Sequence, residues 1–117
     1  MKVDAKKDAL GLNAIRSTNN SEVGPGIINV KGENASIEAN SAEGLAVGIW
    51  AQNNKTVNDG NPSTVKIDAD NTYINVTSGN KVPTAGEYNN IGIVNYSGAK
   101  VIINGNLTVE SGTFLST

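Results

Sequence analysis

KVIINGNLTVESG, residues 100–112, places Asn104-Gly105 between two runs of β-branched and apolar residues. Asn-Gly in such a setting is the strongest short-range signal for a two-residue β-hairpin. A hairpin looped there would oppose Ile103 to Asn106, Ile102 to Leu107, Val101 to Thr108 and Lys100 to Val109. Neither face of that ladder is cleanly apolar, so its register would be poorly specified. The fold turns on whether a different pairing uses these residues better.

Internal repeats supply one. LNAIRST (12–18), AVGIWAQ (46–52) and NIGIVNY (90–96) are alike, and aligning Ile15, Ile49 and Ile93 gives spacings of 34 residues (15 to 49) and 44 residues (49 to 93). Two further pieces follow each of them. The second reads INVKG (28–32), VKIDA (65–69) and VIING (101–105), and the third reads SIEANS (36–41), YINVTS (73–78) and LTVESG (107–112). Apolar and polar residues alternate within every piece, as in a strand with one buried face. The predicted inward set is Ile15, Ile49 and Ile93; Val30, Ile67 and Ile103; and Ile37, Ile74 and Leu107, with Ala39, Val76 and Val109.

In the last copy all three strands fit into about twenty residues, one turn of a solenoid. Asn104-Gly105 then becomes a corner between strands, where both residues tolerate left-handed backbone. The segments NNKTVNDGNPST (53–64) and GNKVPTAGEYNN (79–90) read as polar loops inserted into the longer copies. The expected fold is all-β: a right-handed parallel β-helix of about three rungs, approximately 10–41, 44–78 and 90–112, in one domain over 1–117. Handedness follows the general crossover rule. Stacked at about 4.8 Å, three rungs span only roughly 14 Å. Asn34, Asn71 and Asn106 should stack near one corner, a side-chain ladder of the kind that stabilises stacked strands.

Composition agrees. The 117 residues include 13 Gly and 3 Pro, aromatics make up 4%, and no stretch sustains a helical period. With no cysteine, disulfides, thiol catalysis and cysteine-based zinc sites are excluded, and with no histidine the commonest metal ligand and the usual general base are missing. A net charge of −2 without a basic run argues against nucleic acid as a partner. No segment is long and apolar enough for a membrane-spanning helix, and the start, MKVDAKKDALG, lacks the apolar core of a signal peptide.

GLAVGIWAQNN (44–54), VKIDADNTYINVTSG (65–79) and YNNIGIVNYSGAKVIINGNLTVESG (88–112) together resemble the passenger region of bacterial autotransporter adhesins. The resemblance covers residues 11–112 and rests on degenerate G-I-x-x and N-G-x-L-T-V motifs. It implies a right-handed parallel β-helix, export across the outer membrane and display on the cell surface, extracellularly, as part of an exported parent. The chain departs from the family pattern in having no C-terminal membrane β-barrel and far fewer rungs, which points to a fragment or a short relative. KVDAKKDALGL (2–12) can be laid on KIDADNTYINV (66–76), so the chain is expected to begin within a rung, and GTFLST (112–117) to open the next first strand.

Candidate sites are few. Asp68, Asp70 and Asn71 resemble the alternating ligands of a calcium loop, but the glycine and distal Glu that such a loop needs are missing, so no metal is assigned. Lys31, Asp68 and Asn104 should stack beside Lys66 as a weak surface ion pair. Glycoside cleavage needs two carboxylates across the bond. Here the outer third-strand positions are Glu38, Asn75 and Thr108, and no such pair converges. No catalytic residue and no cofactor is assigned. Trp50, the one tryptophan, is expected to point outward between Arg16 and Val94. An indole flanked by Arg is a candidate for sugar stacking or partner binding, and Tyr88 and Tyr96 are further candidates. The expected function is a non-enzymatic structural or adhesive module that meets a host or bacterial surface protein or glycan. The alternatives are a scaffold or filament subunit self-associating through its β-helix ends and, third, a polysaccharide-cleaving enzyme.

Overall fold

The computed structural model describes residues 1–16, 24–54, 60–79 and 90–110, and the backbone of Thr113–Ser116. The described chain is all-β, with strands β1 (Lys2–Ala5), β2 (Ala9–Ile15), β3 (Ile27–Ser41), β4 (Ala46–Gln52), β5 (Thr64–Ser78), β6 (Asn90–Tyr96), β7 (Lys100–Glu110) and β8 (Thr113–Ser116). They form two four-stranded sheets, β1-β3-β5-β7 and β2-β4-β6-β8. Every pairing is parallel. The chain therefore passes from one sheet to the other at each connection, and each strand pairs with the strand two further along.

Asn104-Gly105 is not a hairpin. It lies inside β7, and residues on both sides of it pair in parallel with β5, Ile103 beside Ile67 and Val109 beside Ile74. The pair still marks a corner. In β5 the inward residues Val65, Ile67 and Ala69 are followed by Thr72, Ile74 and Val76, and two successive exposed residues, Asp70 and Asn71, separate the sets. Glu33 and Asn34 do the same in β3. β7 takes the corner one residue shorter, since Asp68 faces Asn104 while Asn71 faces Asn106. Gly105 makes that possible with φ +95°, because a Cβ there would collide with the Ala69 carbonyl. The backbone ladder runs through the corner in β3 and β5, so the second and third strand pieces are one continuous 15-residue strand, not two.

Three expected registers are corrected. β2 and β4 pair Leu12, not Ile15, with Ile49, while Ile15 faces Gln52 and is 38% exposed. The offset between the first two copies is thus 37 residues (9 to 46), and β3 and β5 share it over their whole length (27 to 64). The signal was the shared A-x-G of Ala9-Leu10-Gly11 and Ala46-Val47-Gly48, which outranks the isoleucine match. Leu107 faces Thr72 rather than Ile74 and is 39% exposed, because the shortened corner slides the rest of β7. Val3 stands beside Ala39, which faces Val76, so residues 2–5 match the end of the long strands and not the 66–69 segment. Val30 beside Ile67 beside Ile103 is as expected, and so is the pairing of Thr113–Ser116 with β6, with Phe114 in register with Ile93.

The core lies between the sheets and is built unequally. The first sheet contributes Ile37, Val65, Ile67, Ile74 and Val76 with only Ala39 and Ala69; the second contributes Ala9, Ala14, Ala46 and Ala51 with Ile49 and Ile93. Small residues on one side let branched ones fill the space from the other, which is how interiors reach close packing. Each fully buried Val or Ile contributes roughly 1.5–3 kcal/mol. Gly48 is fitted to this packing, since a Cβ there would lie 2.5 Å from Ile74 Cγ2 and 2.7 Å from the Gly92 carbonyl oxygen.

Candidate functional site

Trp50 leaves β4 on the side opposite Ile49, as alternation requires, but its register neighbours are Asn13 and Val94. It is half-buried, not exposed. Its indole meets Tyr96 edge-on, with centroids 6.2 Å apart and planes at 90°. The indole N–H donates to Gln52 Oε1 at 3.0 Å. Such an aromatic pair adds about 0.5–1.5 kcal/mol beyond area burial. Around them Val47, Ile91 and Val94 form a second buried apolar cluster with Leu10 and Leu45 packed against it. Trp50 and Tyr96 are therefore brought together, as members of an apolar layer on the outer side of this sheet.

Arg16 is not on that surface. It follows β2, its backbone N–H donates to the Gln52 carbonyl at 2.9 Å, and its side chain is 1% exposed. Nη1 donates to the Asn61 carbonyl at 3.4 Å, tying the end of β2 to the chain entering β5. Arg16 thus serves the fold and does not flank the Trp50 ring. Tyr88 lies outside the described residues, as does most of the two segments read as loops. The 53–63 connection between β4 and β5 is matched in the third copy by a tight turn at Ser97 and Gly98, closed by the Ala99 N–H to the Tyr96 carbonyl at 3.2 Å.

The outward side of the first sheet carries polar ladders. Asn71 Nδ2 donates to Asn34 Oδ1 and Asn106 Nδ2 to Asn71 Oδ1, each at 3.3 Å, so the three asparagines stack as the repeat predicts. Lys31, Asp68 and Asn104 share a level, with Asn104 Nδ2 donating to Asp68 Oδ1 and Lys66 Nζ 3.5 Å from Asp68 Oδ2. The Asn104 hydrogen bond holds the Asp68 carboxyl below the ordinary carboxylate range; desolvation opposes it, and the charge and hydrogen bond of Lys66 and the charge of Lys31 reinforce it. Tyr73 donates to Glu110 Oε2 at 2.5 Å, and that bond, with partial desolvation and the negative charges of Glu110 and Glu38, pushes its phenol above the usual value. Asn40 bridges Asp4 Oδ1 at 2.8 Å and Glu38 Oε1 at 2.9 Å. At the C-terminal end of the long strands Ser78 Oγ donates to the Gly44 carbonyl at 2.6 Å, and Ser41 Oγ accepts from the Gly44 N–H at 2.8 Å.

These polar groups satisfy one another. Among the described residues no group of three or more acidic side chains is placed to hold a metal ion. A shallow groove of about 480 Å³ runs along Asp4, Ala5, Lys6, Asn40, Ser41 and Ala42, open to solvent, and Trp50 is not among its lining residues. Comparison with protein-family models, with curated proteins and with solved structures finds no match.

Proposed function

We propose that this chain is a stretch of right-handed parallel β-helix that serves, without catalysing a reaction, as a structural or adhesive module of a protein displayed on a bacterial surface. The alternation of the chain between two parallel sheets in a 37-residue register supports the helical reading. Parallel crossovers are right-handed in about 98% of cases, which supports the hand. The single observation that carries the non-enzymatic reading is the outward face of β3, β5 and β7, where Asn34-Asn71-Asn106 and Asp68-Asn104 spend their polar groups on each other. A ladder of that kind stiffens a spacer and presents a regular polar surface. The family resemblance adds export and a host or bacterial surface protein or glycan as partner.

The test replaces residues 53–63 with Ser-Gly-Ala, the turn that the third copy uses at the same place, and compares binding of both proteins to host cells, bacterial cells and glycans. Binding by the native chain that the replacement abolishes is the expected result. A native chain that binds none of them, or that cleaves polysaccharide, overturns the proposal.

A second reading is a scaffold subunit that associates end to end. It is favoured by β7, the last strand of its sheet among the described residues, whose Val101, Ile103 and Val109 are only partly covered members of the core. Open strand edges pair readily with another chain.

A further inference from the structure

Asn104 is the one asparagine in the chain followed by glycine, and every other asparagine precedes a residue with a Cβ. It is exposed, and it stands at the shortened corner of β7 where Gly105 takes φ +95°. The Gly105 nitrogen has no side chain beside it to hinder its approach to the Asn104 amide. The Asn104 amide is in turn gripped by Asp68, to which Nδ2 donates. We propose that Asn104 is a site of spontaneous deamidation, restrained by Asp68, and that its conversion loosens β7 from β5.

The chemistry needs only water. The Gly105 amide nitrogen, losing its proton, attacks Cγ of Asn104. The N–Cγ bond forms, the Cγ–Nδ2 bond breaks, and Nδ2 leaves as ammonia with the transferred proton. Water then opens the five-membered imide. Opening at the side-chain carbonyl gives aspartate, and opening at the main-chain carbonyl gives isoaspartate, in which the chain runs through Cγ. No electrons are gained or lost.

Both products damage the same contacts. Aspartate replaces the N–H donor that Asp68 accepts from with a second carboxylate on the same level, and like charges directly opposite in a sheet are destabilising. Isoaspartate adds a main-chain atom at the corner where β7 already runs one residue short of β5, between the Asp68–Asn104 and Asn71–Asn106 pairs. The Asn106-to-Asn71 hydrogen bond then loses its register. The grip of Asp68 works the other way in the intact protein: it holds the Asn104 amide on its neighbour and away from the attacking nitrogen.

The experiment holds the full chain in warm, mildly alkaline buffer and follows the gain of one mass unit, locating it by peptide mapping that separates aspartate from isoaspartate. The expected result is conversion at Asn104 ahead of every other asparagine, with isoaspartate among the products, and a several-fold faster conversion in Asp68→Ala. Absence of conversion at Asn104, or another asparagine reacting first, overturns the site. An unchanged rate in Asp68→Ala overturns the restraint. Asn104→Asp, which needs no ageing, is expected to lower the melting temperature, and an unchanged melting temperature overturns the loosening of β7.

Discussion

Protonation of Asp68 is felt by the fold. Its folded pKa lies below its unfolded value because Asn104 donates to the carboxylate and Lys66 and Lys31 stand near. A depressed acid contributes stability above its unfolded pKa, and that contribution is lost as pH falls through the folded value. Urea midpoints should therefore decline below about pH 4, and Asp68→Asn, which keeps an acceptor for Asn104 but loses the charge, should show a shallower decline. Thr72 makes the opposite point. It is 2% exposed, and its hydroxyl has no hydrogen-bond partner among the described residues. A buried unsatisfied hydroxyl costs roughly 1–3 kcal/mol. Thr72→Val should therefore raise stability by about 1 kcal/mol in urea titrations. The Asp68 level was legible, since Lys31, Asp68 and Asn104 fall at matching places in the repeat beside Lys66; the unpartnered Thr72 hydroxyl was not. The asparagine ladder was, because three asparagines at matching places in a repeat have nowhere to go but above one another. That Trp50 would be half-buried against Tyr96 was not legible, since alternation assigns a side and says nothing about what else lies on it.

At the scale of the strand, the register decides which isoleucine is structural. Ile49→Ala empties a fully buried site and should cost about 2–5 kcal/mol. Ile15→Ala, at a position 38% exposed, should stay within about 1 kcal/mol. Equal losses at the two sites, measured by thermal or urea unfolding, would restore the register that aligns Ile15 with Ile49. Gly48→Ala tests the same element from the other side. The added methyl meets Ile74 and the Gly92 carbonyl, and overpacking of that kind should cost about 1–3 kcal/mol by the same measurement. The strands themselves were readable from period-two alternation. Their boundaries were not, because the corner at Asp70 and Asn71 interrupts the alternation while the backbone ladder carries on through it. What looks in the sequence like two strands is one bent strand in the structure.

The whole molecule is a stack in which each strand touches the neighbouring copy above or below. Connections on its flank are thus free to differ in length, as the 53–63 segment and the Ser97-Gly98 turn do. The Ser-Gly-Ala replacement of 53–63 should leave the far-ultraviolet circular dichroism unchanged while lowering the urea midpoint, since it removes the Asn61 carbonyl that Arg16 holds and the buried Ser63, and a loss of β signal would mean that the strands need this connection to form. Light scattering across a concentration series separates the two functional readings: growth of particle mass with concentration favours end-to-end assembly, and a constant monomer mass favours the surface module. Taken by itself, the sequence determined that the chain is all-β, that it repeats, and that Asn34, Asn71 and Asn106 share a level, because alternation and repetition are local properties of a chain. The tertiary structure alone decided the 37-residue register, the merging of two strand pieces into one and the burial of Arg16. These depend on which residues fit opposite one another across a close-packed interior, where alanines of one sheet make room for the isoleucines and valines of the other.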